Sequence, residues 1–437
     1  MRMKWRNKPT AIASTVLVVV AANNIFVASA ETSKHTRSRL LTGDSDIFDR
    51  IFASRKPEIL LDAESHGLVW TEGPLLLEDK LIFSDTIGNK IYSLDLGQSN
   101  ELQVIRDNSG GLSPEDEQWR AEPGSNGLAL VSNPEGEAST SNKVLVCQHA
   151  NRRLSVLNLS TGTMESVASE FNGKILNGPN DVVLHREEVE DEDGTSETRS
   201  YAYFTDPVYA WLEKDRFEDL PYLDDRVKND GPGYCGVYRV DITEKLNGDS
   251  AKVELITSEM ARPNGIAFDE NDLIVSDCCQ GAHLDGCTSG ISRWLLFRQR
   301  AHVSHADESS WLHSVTIKDK VSPKLSTGGC ADGFAIYRLD DESATYGRRR
   351  RRAKHVLIAS CFGGLCIVDL EVGEVVARLW TANNEHGGCK VSNVAIGEGR
   401  VYLTGSCGIL TLPLRRRRSR SGDDDEGEAI IDPYAEL

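Results

Sequence analysis

Short runs of apolar and β-branched residues, bounded by Gly, Asn and Asp, recur along the chain from Asp46 to Leu414. The clearest are KLIFSD from Lys80 to Asp85, KVLVCQ from Lys143 to Gln148 and YAYFT from Tyr201 to Thr205. DLIVSD from Asp272 to Asp277, HVLIASC from His355 to Cys361 and RVYLT from Arg400 to Thr404 continue the series. Runs of this length, punctuated by turn formers, predict strands. No apolar stripe at helical spacing extends over three turns, so the expected fold class is all-β.

Each run follows a small signature. These are Glu72-Gly73-Pro74, Ser125-Asn126-Gly127, Pro179-Asn180-Asp181, Pro263-Asn264-Gly265, Ala331-Asp332-Gly333 and Ser392-Asn393-Val394. The residues Glu72, Asn126, Asn180, Asn264, Asp332 and Asn393 are 54, 54, 84, 68 and 61 positions apart. Six copies of an acid or amide followed by apolar strands predict a six-bladed β-propeller. The first strand of each blade then lines the channel, and its first residue faces the axis at one mouth. The sixth repeat has strands near Asn393, Val401 and Ile409 but no fourth, while PEILLD from Pro57 to Asp62 is a strand outside any repeat. This N-terminal strand is expected to close the last blade. A simpler explanation, that Asn-Gly and Asp-Gly are turn formers, covers four signatures but not the placement of Glu72 and Asn180.

The layout expected is a signal peptide at 1–30, a linker at 31–56, the propeller at 57–414 and a disordered charged tail at 415–437. The basic stretch from Met1 to Thr10, the apolar stretch from Ala11 to Val27 and Ala28-Ser29-Ala30 have the order of a secretory signal. An uncleaved anchor is the alternative, and Asn23-Asn24 weakens it. All ten cysteines lie beyond this segment, eight of them after residue 270. Behind a signal peptide an even number reads as disulfides. A zinc site would need paired Cys or Cys/His spacings, and the nearest approach is the CxxxxC of Cys361 and Cys366. Asn158-Leu159-Ser160 is a glycosylation sequon.

With 39% hydrophobic and 27% charged residues the chain has ample material for a core. Its net charge of −18 argues against nucleic acid or an anionic membrane as chief partner, and it does not forbid a cation. A small-molecule partner and a monomeric state are expected. Two carboxylates and several amide oxygens converging on one axis make a hard-oxygen site for Ca²⁺ or Mg²⁺. Without a cation, Glu72 and Asp332 would repel each other and one would stay protonated.

The motifs TEGP at Thr71 to Pro74, NGPND at Asn177 to Asp181, YFTDPVY at Tyr203 to Tyr209, RPNG at Arg262 to Gly265 and ADG at Ala331 to Gly333 occur in order. Together they resemble the senescence marker protein, gluconolactonase and luciferin-regenerating enzyme family. CQHANRR, from Cys147 to Arg153, resembles its microbial gluconolactonase-like branch. The resemblance spans roughly Leu61 to Leu412. It implies a six-bladed propeller that hydrolyses a lactone with one divalent cation on the axis, usually Ca²⁺, with Mg²⁺ or Zn²⁺ as alternatives. The family's metal-binding Glu, two Asn and Asp fall on Glu72, Asn180, Asn264 and Asp332, and Asp332 is also the implied proton acceptor. Asn126, His149 and Asn393 are held as substrate contacts, with a structural histidine as the alternative reading of His149. Two departures stand out. The family's Trp two residues after EGP is Leu76 here, and the Arg that animal sugar lactonases carry two residues before Asn180 is Gly178.

No GxSxG elbow, HExxH, P-loop or GxGxxG occurs. Arg348 to Arg352 with Lys354 reads as an exposed loop or a processing site, and the RRRRSR and DDDEGE runs of the tail as disordered. Two further readings stay open: a non-catalytic ligand- or protein-binding propeller, and a relative of the arylesterases or strictosidine synthases. The substrate-facing loops are expected in the insertions near 191–199, 214–233 and 281–315.

Overall fold

The computed structural model describes residues 41–97, 100–131, 142–190, 195–214, 227–243, 252–278, 293–299, 311–318, 331–339, 355–361, 363–381 and 388–415. The signal-peptide segment, the Arg348 to Arg352 run, the charged tail beyond residue 415, and Cys279, Cys287 and Cys330 lie outside them.

Six antiparallel sheets of four or five strands follow one another along the chain, with a two-stranded ribbon, Glu170–Phe171 and Lys174–Ile175, between the second and third. Blade 1 comprises Thr71–Leu77, Lys80–Asp85, Lys90–Asp95 and Leu102–Asp107. Blade 2 comprises Leu128–Leu130, Lys143–Gln148, Arg153–Asn158 and Met164–Ala168, and blade 3 Val182–Glu190, Ser196–Asp206, Gly236–Asp241 and Val253–Thr257. Blade 4 is Pro263–Asp269, Asp272–Asp277, Arg293–Gln299 and Trp311–Lys318. Blade 5 is Phe334–Arg338, His355–Cys361, Gly364–Asp369 and Glu374–Trp380. In blade 6 the chain supplies Val391–Gly397, Arg400–Gly405 and Gly408–Pro413, and Glu58–Asp62 pairs with the last of these as the outermost strand. The N-terminal strand therefore closes the ring, as the short sixth repeat predicts.

The continuous apolar character of the second strands has a simple cause. Side chains alternate across a strand, and both faces of every blade meet a neighbour. Leu81 and Phe83 pack with blade 6, while Ile82 between them packs with blade 2. Leu145 and Cys147 meet blade 3, whereas Val144 and Val146 meet blade 1. Leu273 and Val275 lie against blade 3 and Ile274 against blade 5. Val356 and Ile358 pack with blade 6, Leu357 and Ala359 with blade 4. Each adjacent pair of blades thus owns one apolar cluster, and burying both faces is what removes polar residues from these strands.

Ahead of the closing strand, in the stretch read from sequence as a linker, Leu41–Gly43 adds a fifth strand to blade 5. The helix Ser45–Ile51 follows, its first turn capped by the Asp44 carboxylate accepting from Asp46 N and Ile47 N. Phe48, Ile51 and Phe52 are fully buried with residues of blades 5 and 6. Cys361–Cys366 and Cys389–Cys407 are disulfides, and Cys278 is disulfide-bonded. Cys147 is a buried free thiol, an exception to the reading of all ten cysteines as bridged. Among the described residues no helix is long and apolar enough to cross a membrane.

Candidate functional site

Hydrogen bonds tie every successive pair of blades at the axis. Ser84 Oγ donates to Asn126 O at 2.8 Å, Gly127 N to Asn180 O at 2.7 Å and Thr205 Oγ1 to Asn264 O at 2.6 Å. Ser276 Oγ donates to Asp332 O at 2.8 Å, Gly333 N to Ser392 O at 2.8 Å and Ser392 Oγ to Thr71 O at 2.7 Å. The ring so closed runs through or directly beside all six signature residues. Packing is close where a glycine follows the axial residue: a Cβ on Gly73 would lie 2.5 Å from Asn126 O, and one on Gly333 1.9 Å from Asn393 Cγ. At these positions glycine is a requirement of blade contact as well as of turn chemistry, whereas Asp181 and Val394 hold the equivalent places in blades 3 and 6. The ladder shifts register at Glu72/Leu75, Pro263/Ile266 and Val391/Val394, and such bulges re-aim the axial side chain.

Carboxylates at the ends of the second strands hold the approach to the ring. Asp85 accepts from Val69 N and Trp70 N, both at 3.0 Å. Asp206 accepts from Asn177 N at 2.8 Å and Gly178 N at 2.7 Å, and Asp277 from Ala261 N at 3.2 Å and Arg262 N at 2.8 Å. In blades 1, 3 and 4 the clamped amides lie three and two residues before Glu72, Asn180 and Asn264. The sequence signal was present in the endings Ser84-Asp85, Thr205-Asp206 and Ser276-Asp277. Burial pushes the Asp206 carboxyl up to about 7 despite these bonds.

Glu72, Asn126, Asn180, Asn264 and Asn393 are buried, and Asp332 keeps part of its surface open. Glu72 Oε1 accepts from Trp70 Nε1 at 2.8 Å, whereas Oε2 is buried with no hydrogen-bond partner. Burial and then the charge of Asp332 hold Glu72 well above the ordinary carboxylate range. Asp332 is raised in the same way by burial, then by Asp181 and Glu122, and the Asn264 side chain hydrogen-bonds it. The structure therefore brings Glu72, Asn264 and Asp332 together. Asn393 Nδ2 turns instead to Asp181 Oδ2 at 3.4 Å, and its Oδ1 accepts from Val394 N.

Two acids at this site were not singled out from sequence. Asp181 follows Asn180, is buried, and is pushed up to about 6 by burial. Its signal was the second acid-or-amide position of NGPND. Glu122 comes from the connection between blades 1 and 2, and no spacing marked it. Its Oε2 lies 3.2 Å from Nε2 of the fully buried His149, whose Nδ1 is 3.2 Å from Pro179 O. His149 is thus wedged between Glu122 and the residue preceding Asn180, on a single 3₁₀ turn that ends at Arg152.

The two departures from the family pattern have structural settings. Leu76 lies against Gly397 in the core between blades 6 and 1, so the change at that position concerns packing. A Cβ on Gly178 would lie 2.3 Å from Ala210 Cβ, so no larger side chain fits there. Beside this point is a cavity of about 350 Å³ lined by Trp119, Arg120, Arg152, Trp211 and Asp230.

Among the described residues no three His, Cys, Asp or Glu side chains form a metal-binding group. A site here would join the carboxylates of Glu72 and Asp332 to amide oxygens, a hard-oxygen set of the kind Ca²⁺ takes. The unpartnered Glu72 Oε2 and the mutual repulsion of the two acids fit such an ion.

No protein-family profile matches the chain, and no curated protein matches it in sequence. Among solved structures it is similar to an X-ray structure assigned as a gluconolactonase, at 23% identity and a TM-score of 0.52, over 86% of this chain and 97% of the other. It is also similar to a gluconolactonase from Xanthomonas campestris described as important in glucose secondary metabolic pathways, at 20% identity and a TM-score of 0.52, over 86% and 94%. At these identities the likeness is one of fold, and it agrees with the motifs: the chain is a six-bladed β-propeller of the architecture seen in these gluconolactonase structures.

Proposed function

We propose that this protein is a secreted, divalent-cation-dependent hydrolase of a lactone or related cyclic ester, acting as a monomer on a small molecule. The observation that carries the reading is Glu72, buried at the axis with Oε2 unsatisfied and coupled by charge to Asp332, which burial also raises. A buried carboxylate pair is costly unless something compensates it. Glu72, Asn180, Asn264 and Asp332 would hold the ion, with Ca²⁺ favoured by the oxygen-only set. When bound it supplies polarisation of the ester carbonyl and neutralisation of charge.

Asp332 keeps part of its surface open, as a group that exchanges a proton with an incoming water must. It takes one proton from the water that attacks the carbonyl carbon. As the ring C–O bond breaks, it returns that proton to the departing alkoxide oxygen. Asn126 and Asn393 complete the ring against which the substrate is positioned, and His149, braced by Glu122, walls the chamber. The order of basic, apolar and small residues before Glu31 and the disulfides of blades 5 and 6 support secretion.

The test is a screen of γ- and δ-lactones and aryl esters, with chelated protein and after adding Ca²⁺. Turnover should require the ion and vanish in Asp332→Ala with the circular dichroism spectrum unchanged. Full activity after exhaustive chelation, or unimpaired Asp332→Ala, refutes the reading. Calcium binding without turnover of any ester would assign the site to ligand binding instead.

A further inference from the structure

Glu72 meets the axis with its two oxygens in different states. The Trp70 indole Nε1 donates to Oε1 at 2.8 Å, whereas Oε2 of the same buried carboxylate has no hydrogen-bond partner among the described residues. An indole N–H can only donate, so the direction of this bond is fixed. Oε1 is held by Trp70, and Oε2 is the oxygen left for something else.

Trp70 is itself anchored before it reaches Glu72. Its backbone N–H donates to Asp85 Oδ1 at 3.0 Å, and its carbonyl accepts from Thr86 N at 2.9 Å. Between the two residues Thr71 turns toward blade 6, where its Oγ1 accepts from Gly405 N at 2.8 Å and donates to Gly408 O at 2.9 Å. Its carbonyl accepts from Ser392 Oγ at 2.7 Å. Side chains alternate along a strand, so pinning Thr71 to one side places Trp70 and Glu72 together on the other. The blade repeat does not itself demand an aromatic residue here. Gly124 and Gly178 hold the same place, two residues before Asn126 and Asn180. Trp70 is also only half-buried, and it joins neither of the apolar clusters that blade 1 makes with its neighbours.

A neutral donor suits the task that this leaves. Arg or Lys at position 70 would orient the carboxylate but cancel its charge and compete with a cation, whereas an indole fixes one oxygen and leaves the charge available. Outer partners of metal ligands commonly act in this way, setting the ligand's orientation before the ion arrives. We infer that Trp70 is a positioning residue of the axial site: its N–H holds Glu72 Oε1 and so presents Oε2, in a preset orientation, to a divalent cation shared with Asp332. The inference rests on the cation reading of the ring and not on turnover.

The donor can be removed while the ring is kept. Codon suppression at position 70 of the full-length protein inserts benzothienylalanine, which has the bicyclic shape of tryptophan with sulfur in place of the N–H, and tryptophan inserted by the same route is the control. Calorimetric titration of chelated protein with Ca²⁺ should show affinity about 10-fold or more weaker in the isostere, with the melting temperature of the chelated protein retained. Trp70→Phe should lose at least as much. A side chain that only fills space would leave the isostere with wild-type affinity. The second readout is taken on the wild type labelled at the indole nitrogens. The N–H resonance that either variant lacks should move when Ca²⁺ is added, because its acceptor becomes a ligand. Wild-type affinity in the isostere, or an indole resonance that Ca²⁺ does not move, overturns the inference and leaves the hydrolase standing. A wild type that binds no Ca²⁺ overturns the inference and the cation reading together. Binding that weakens in the isostere, without turnover of any ester by the wild type, overturns the hydrolase and leaves the inference standing.

Discussion

Replacing Glu72 with Gln keeps the side chain's shape and the bond from Trp70 Nε1, but removes one negative charge from the axial ring. In the wild type, burial and Asp332 hold the Glu72 carboxyl above its unfolded value of 4.5. A raised acid favours the folded state fully at pH below the unfolded value, and that advantage is lost as pH rises through the folded value, at about 1.4 kcal/mol per pH unit. At pH 8, far above the unfolded value, the chelated wild type bears the cost of burying Glu72, as a charge or as a retained proton, which Glu72→Gln lacks, and the chelated variant should melt higher. Calcium at about 100 times its dissociation constant should stabilise the wild type by about 2.7 kcal/mol. Unfolding entropy of about 2.1 cal/mol/K per residue corresponds to roughly 0.8 kcal/mol per degree for a propeller of about 375 residues, so the shift is about 3 °C. In Glu72→Gln, one charged ligand short, it should fall below about 1 °C on the same scale. Scanning calorimetry of chelated and calcium-loaded protein at pH 8 and pH 5 reads both effects, and the wild-type calcium shift should shrink at pH 5 as the two acids take up protons. A chelated variant that melts below the wild type at pH 8, or an undiminished calcium shift in the variant, refutes the reasoning.

Other consequences can be checked on the same protein. Asp206 titrates at about 7 in the fold against 3.8 in a free chain, so its contribution to stability falls as pH rises between these values; Asp206→Asn should flatten that part of the urea-stability profile. Ser392→Ala removes the donor to Thr71 O between blades 6 and 1 and should cost about 1–3 kcal/mol in urea unfolding. Serine at Cys389 and Cys407 opens a bridge of sequence separation 18 and should cost about 3 kcal/mol, more than opening Cys361–Cys366 at separation 5. Equal losses from the two bridges would argue against an entropic origin.

The strands, the six repeats and the closing strand were legible because each follows from chemistry that is local in the chain. Ile82 and Phe83 are both apolar since each face of a propeller blade has a neighbour, and Gly73 and Gly333 mark where blades touch. The helix Ser45–Ile51 was missed because seven residues are too few to show a period, although Phe48 and Phe52 anchor it in the core. The clamps Asp85, Asp206 and Asp277 carried a signal in their common strand endings, whose purpose emerges only once the partner amides are seen.

By itself the sequence determined the all-β repeat, the ring of Glu72, Asn126, Asn180, Asn264, Asp332 and Asn393, and the presence of two axial acids. Burial periodicity and turn geometry are read along one dimension, and a ring of equivalent positions inherits its placement from them. Tertiary structure alone decided that Glu122 braces His149, that Asp181 joins the acids, and that Arg120 and Arg152 share a cavity with Trp211. Those side chains sit on connections between strands, with partners as far off as the 212 residues from Asp181 to Asn393. Where such connections meet depends on how the blades close and how loops of unequal length fold over the mouth. No repeat in the chain encodes that path, because it is set by packing between segments that are distant in sequence.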